Sequence, residues 1–170
     1  FARACISMEY PIAVAFGCND PGDIRLHYYA AKDIVKNRRT GGIFRVDNSV
    51  GDKVQIMISD IQSYLPAMRY MMAFNSPEQI IWYWDEPTIT LDKSEHEYHA
   101  VLEKNWRENE IPNIVLSSAT LPMEKDIMSC IQYFKTKTIG GQIYTIKSYE
   151  CSKTIPLLDR DGYIILPHYV

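Results

Sequence analysis

The sequence lacks any long hydrophobic run. Its most apolar stretch, residues 80–84, falls far short of the ~20 residues needed to span a bilayer. A membrane partner is therefore not expected. It lacks a C-x-x-C pair: the cysteines, Cys5, Cys18, Cys130 and Cys151, are scattered, which argues against a structural zinc. Each reads as a small buried hydrophobe. It lacks an excess of positive charge, with 18 Lys and Arg against 21 Asp and Glu and a net charge of −3. That excludes a uniformly basic nucleic-acid binder. Internal repeats and low-complexity segments are absent too. There is neither an initiator methionine nor the apolar segment of a signal peptide. The chain thus reads as a fragment of something longer, and its dispersed thiols suggest a reducing, intracellular compartment.

What is present is enough for one domain: 170 residues, 46% of them hydrophobic. The densest basic patch is Lys32, Lys36, Arg38, Arg39 and Arg45. It reads as a solvated helix end and turn, with a phosphate-backbone contact as the alternative.

Apolar strand-like runs alternate with helical stretches. Residues 11–17 form a short strand closed by Gly17. Residues 23–37 read as a helix, with Ile24, Tyr28, Ala31 and Val35 on one face. Strands are expected at 53–60, 79–84 and 113–117, and helices at 64–74, 95–109 and 122–134. A β-rich tail follows, at 142–147 and 162–166. The run at 79–84 is almost continuously apolar, as in a strand buried on both faces of a parallel sheet. This order predicts a doubly wound α/β domain, with chemistry just after the strand ends: Gly17, Ser59-Asp60, Asp85-Glu86 and Ser118-Ala119-Thr120.

Asp85-Glu86-Pro87-Thr88 follows the most apolar strand directly. An Asp at a strand tip can hold a magnesium ion that bridges phosphates. The neighbouring Glu can polarise an attacking water. The plain alternative is an acidic strand-to-loop junction. Ser118-Ala119-Thr120 stands one α/β unit later, in the context Ile114-Val115-Leu116-Ser117-Ser118-Ala119-Thr120-Leu121-Pro122. Its hydroxyls could equally cap the next helix.

Together these motifs resemble superfamily-2 helicases, in which an Asp-Glu box (the Walker B carboxylates) is followed by Ser-Ala-Thr. The phrases RVDNSVGDKVQIMISDIQSYLPAM and NWRENEIPNIVLSSATLP look most like helicase-like proteins of large nucleocytoplasmic DNA viruses. The resemblance implies a RecA-like, mainly parallel sheet lacking its first strand and phosphate-binding loop. It implies ATP and magnesium as cofactors, with Asp85 binding the metal through water and Glu86 activating the hydrolytic water. Ser118, Ala119 and Thr120 would couple hydrolysis to domain closure. DNA or RNA would be a partner, touched by Ser59 and Asp60, and a second RecA-like domain would be another. Residues 1–154 would be the partial motor domain and 155–170 a crossing segment toward the second. The place of action would be the host cytoplasm or a viral factory.

Two matches weaken on inspection. The run 85–92 also resembles the Walker B and D-loop of ABC-type ATPases, but no serine-glycine-glycine signature precedes it. Ser59-Asp60-Ile61-Gln62 replaces the Thr-Pro-Gly-Arg usual in helicases at that place. No Gly-x-x-x-x-Gly-Lys-Ser/Thr occurs. A non-catalytic RecA-like scaffold or RNA-binding module is therefore the competing reading. His96 and His99, with Glu95 and Glu97, could form a metal face but read better as an exposed helix start. His27 and His168 read as structural. Trp82, Tyr83, Trp84 and Trp106 read as core rather than base-stacking groups.

Overall fold

The computed structural model describes residues 1–90, 93–119, 121–147 and 157–166. The chain is mixed α/β. It forms two compact units, Phe1–Pro122 and Met123–Val170.

In the first unit, helix α1 (Ala2–Ser7) leads into strand β1 (Ile12–Ala15). β1 pairs antiparallel with the short β2 (Arg25–Leu26) and parallel with β5 (Ile56–Ser59). Between β2 and β5 lies a separate antiparallel hairpin, β3 (Ile34–Lys36) and β4 (Ile43–Val46). Helix α2 (Tyr64–Met72) follows β5. Then come β6 (Ile81–Asp85), helix α3 (Glu97–Glu108) and β7 (Asn113–Ser117). β6 and β7 pair in parallel, from Ile81 opposite Asn113 to Asp85 opposite Ser117.

α2 holds the unit together because its apolar residues point two ways. Ala67, Tyr70 and Met71 join Ala13, Ala15, Ile24, Leu26 and Val54 in one core. Tyr64, Leu65 and Met68 join Trp82 and Ile111 in a second. There Tyr64 stacks on Trp82 with ring centroids 4.1 Å apart, and Trp82 stacks on Trp84 at 4.7 Å. Such aromatic pairs add about 0.5–1.5 kcal/mol beyond their buried area. Most polar groups in this core find partners, although Trp106 Nε1, packed against it, is buried with none among the described residues. Tyr64 donates to Asn109, whose amide bonds the backbone of Ile111, and Asn105 donates to Ile61 O at 2.7 Å. Burial pushes the Tyr64 hydroxyl's pKa up, so it stays a donor.

Several expectations are corrected. Residues 23–37 are not a helix. Asp20 caps a single 3-10 turn, Pro21–Asp23, and the chain then extends. Its amides bond distant partners instead of the preceding turn: Leu26 N donates to Asn48 Oδ1 at 2.8 Å, and His27 N donates to Ile12 O at 2.9 Å. The basic patch accordingly lies along the β3–β4 hairpin, with Lys32 just before it and Arg38 and Arg39 in its exposed turn as expected, and not at a helix end. β6 is not buried on both faces. Trp82 is buried, but Ile81 is 68% and Tyr83 60% exposed, because α2 covers one face of the two-stranded sheet only. Cys130 is exposed, whereas Cys5 and Cys18 are buried as expected. Cys151 lies outside the described residues.

The second unit contains a 3-10 turn (Glu124–Asp126), helix α4 (Met128–Lys137) and an antiparallel pair, β8 (Leu157–Leu158) with β9 (Ile164–Leu166). The strand expected at 142–147 does not form, and those residues have no regular structure. Among the described residues, no helix is long and apolar enough to cross a membrane.

Candidate functional site

The two motifs meet at the carboxyl end of the β6–β7 pair. The ladder ends with Asp85 opposite Ser117, and Glu86 N adds one more bond, to Ser117 O at 2.7 Å. Beyond it the Ser118 hydroxyl donates to Glu86 Oε2 at 2.7 Å, a charge-assisted bond. Thr88 Oγ1 lies 3.4 Å from Ser118 Oγ. Residues 32 positions apart in the sequence thus share one polar cluster because parallel pairing puts both strand ends side by side. Ala119 is exposed beside them. Thr120 and the Leu91-Asp92 pair lie outside the described residues.

The backbone of this loop is held in an unusual shape. Glu86 has φ +49° and Thr90 φ +68°, the left-handed region that costs a non-glycine residue about 1 kcal/mol or more. Two contacts hold the turn. Ile89 N donates to Glu86 O at 3.2 Å, and the His99 ring Nε2 donates to Thr90 O at 2.8 Å. Thr90 Oγ1 is buried with no hydrogen-bond partner among the described residues. His99 is therefore a brace between α3 and the acidic loop, a role its spacing from His96 did not suggest. His96 caps α3: Tyr98 N donates to its Nδ1 at 3.1 Å. Neither histidine belongs to a metal cluster. Among the described residues no group of three or more His, Cys, Asp or Glu is placed to hold an ion.

Magnesium in a phosphate site needs only one or two carboxylates, with water and phosphate oxygens completing its shell. The exposed pair Asp85 and Glu86 fits that donor set, whereas a dedicated protein-only cage is absent among the described residues.

A second polar cluster, built on one carboxylate, sits at the carboxyl ends of β1 and β5. Ser59 closes β5 opposite Ala15. Asp60 Oδ2 accepts from Gly17 N and Oδ1 from Ser63 N, each at 2.8 Å. Ser63 Oγ in turn accepts from Cys18 N at 2.8 Å. Burial opposes ionisation of Asp60, but these bonds outweigh it and hold its pKa below the usual carboxylate range. Gly17 is left-handed at φ +62°, which lets its amide turn toward Asp60. The carboxylate ties two strand ends together and presents acceptors, not donors. The sequence marked the position without revealing that geometry.

His27 is half-buried, and its Nδ1 has no partner among the described residues; burial lowers its pKa. Its ring lies 4.3 Å from Tyr28 and 5.0 Å from Tyr29. Trp82 is core as expected, with Trp84 and Trp106 packed against its cluster, whereas Tyr83, also expected in the core, is exposed on the other face of β6. His168 lies outside the described residues.

No protein-family model, curated protein or solved structure matches this chain.

Proposed function

We propose that this chain carries the metal-and-water half of an ATP-hydrolysing site in a nucleic-acid helicase or translocase of the superfamily-2 type, built on a RecA-like core. The observation that carries the reading is the bond from Ser118 to Glu86 across the ends of two adjacent parallel strands. A Ser-Ala-Thr turn that reads the state of an Asp-Glu box needs that contact. The strained backbone at Glu86 supports it further, since such outliers cluster at working sites.

In this reading Asp85 would hold magnesium through water, a cation whose chemistry there would be neutralisation of phosphate charge. Glu86 orients and polarises the attacking water. Ser118, with Ala119 and Thr120, relays the carboxylate's position to a second RecA-like domain. The phosphate-binding loop and an arginine finger would come from sequence other than these 170 residues. The setting would be an infected cell's cytoplasm or a viral factory.

The test is Glu86→Gln in the full-length protein. ATP turnover should be abolished while ATP binding stays within about twofold, since the carboxamide keeps the shape but cannot take the proton. Unchanged hydrolysis would refute the assignment in favour of a non-catalytic module.

A further inference from the structure

The β3–β4 hairpin is used by nothing described so far, and its chemistry is unlike the rest of the chain. Residues 32–45 hold five cations, Lys32, Lys36, Arg38, Arg39 and Arg45, against one carboxylate, Asp33, in a chain of net charge −3. All five side chains are exposed, and none forms an ion pair among the described residues. Asp47, the next acid along the chain, accepts from Ser49 N at 2.9 Å and from its hydroxyl at 2.6 Å, and it lies close enough to Arg45 and Lys32 to feel their charge without pairing with either.

The ribbon also displays apolar groups to solvent. Val35 and Ile43 are exposed, and Phe44 is 73% exposed. Phe44 has a structural reason to stand out. The register runs Val35 opposite Arg45 and then Lys36 opposite Ile43, so Phe44 is the extra residue of a β-bulge. A bulge re-aims its side chain away from the ladder. The aromatic ring therefore stands between Ile43 and Arg45, across the ladder from Val35 and Lys36.

The hairpin is anchored at its base and free along its body. Asn48 bonds both β2 and α2, through Leu26 N at 2.8 Å and Tyr70 OH at 3.0 Å, and Val46 packs on the first core. At the tip Asn37 Oδ1 accepts from Arg39 N at 2.8 Å, and Gly41 turns left-handed at φ +71°. This fixes a loop that holds out Arg38 and Arg39. A two-stranded ribbon exposed on both faces has little stability of its own, and its exposed ring, with five cations that no carboxylate bonds directly, suits a partner that supplies both anions and flat apolar faces.

We propose that the β3–β4 hairpin is a binding surface for single-stranded nucleic acid. The five cations track the phosphodiester backbone, and Phe44 stacks on an unpaired base. Charge complementarity argues for a polyanion, and the ring at the bulge argues for accessible bases over a closed duplex, whose bases already stack on one another. The assignment rests on the hairpin alone and not on the hydrolysis reading. Binding by the 170-residue chain requires no turnover, so failure here and failure of the Glu86 test are separate results.

The experiment is fluorescence anisotropy of the chain with labelled single-stranded DNA and RNA 20-mers, and with a 20-base-pair duplex, between 50 and 200 mM salt. Binding should be tighter to single strands than to duplex, and the DNA and RNA arms identify the preferred sugar. Arg38→Ala/Arg39→Ala should make the log–log salt slope shallower by about 1.4, at ~0.7 per cation on a single strand. Phe44→Ala should weaken single-strand binding by about 5- to 150-fold, the range for loss of one stacked base. Lys104→Ala, an exposed cation on α3, should change neither. Circular dichroism of each variant should match the parent. The proposal is overturned by absence of single-strand binding, by a duplex affinity equal to the single-strand affinity with Phe44→Ala silent, by a Lys104 effect as large as the arginine pair's, or by binding to phosphatidylserine vesicles in place of oligonucleotide.

Discussion

Ser118 and Glu86 are joined by a 2.7 Å hydrogen bond between residues that neighbour each other only because β6 and β7 run parallel. The carboxylate is thus oriented by a side chain on a different strand, while its own backbone is strained at φ +49°. Removing the hydroxyl leaves the strain and deletes the restraint.

If the proposed hydrolytic reading holds, Ser118→Ala should lower ATP turnover of the full-length protein by about 10- to 100-fold, the scale of one hydrogen bond to a charged group. Thermal unfolding of the variant should stay close to the parent, because the pair is at the surface. A large loss of folding stability with normal turnover would assign the bond a purely structural role.

Asp60 predicts a pH effect of defined sign. Its folded-state pKa is lowered against an unfolded value of about 3.9. The stabilisation is therefore fully present above about pH 4 to 5 and is lost as pH falls through the lowered value. Urea denaturation of the parent and Asp60→Asn between pH 7 and 3 should show a constant stability difference near neutrality. The difference should shrink at the acid end.

The one-sided β6 sheet predicts an asymmetry between neighbours. Trp82→Ala removes a ring stacked on both Tyr64 and Trp84 and should cost about 3–5 kcal/mol. Ile81→Ala, on the opposite face, should change the stability of this chain by no more than ~0.5 kcal/mol. Guanidinium melts of the two variants give the comparison directly.

Gly51 is a packing constraint. A Cβ there would lie 2.3 Å from Tyr70 Cε1 and 2.7 Å from Cζ, inside contact distance. Gly51→Ala should destabilise by about 1–3 kcal/mol as overpacking. In a double-mutant cycle, Gly51→Ala with Tyr70→Leu should cost less than the sum of the two single changes.

The elements that the sequence reveals are those whose apolar pattern is also their burial pattern. The strand at 113–117 and the helices at 64–74 and 95–109 appear close to where they were expected, because length and turn residues leave few alternatives. The helix expected at 23–37 fails for an identifiable reason. Ile24, Tyr28, Ala31 and Val35 do recur at helical spacing, but Ile24 and Leu26 also alternate as a strand does. The tie is broken by Asn48, 22 residues beyond Leu26, which no local window contains. The hairpin did leave a signal: Gly41-Gly42 lies between the β-branched pair Ile34-Val35 and the run 43–46. At the candidate site the residues were legible and their bonding was not. Asp85, Glu86 and Ser118 stand out as motifs, whereas the His99 brace and the Asp60 tie depend on three-dimensional neighbours. The apolar run at 80–84 suggested two buried faces because composition cannot tell whether a second layer is present.

α2 has one further consequence. Its two sets of apolar residues serve two sheets that share no strand-to-strand hydrogen bonds. Neither sheet can shed its cover without uncovering the other. Apart from the β3–β4 hairpin, the first unit should therefore open as one cooperative block, with the amides of α2 among its slowest to exchange with deuterium. The hairpin at 34–46 would exchange far earlier, open and closed many times over while α2 stays shut.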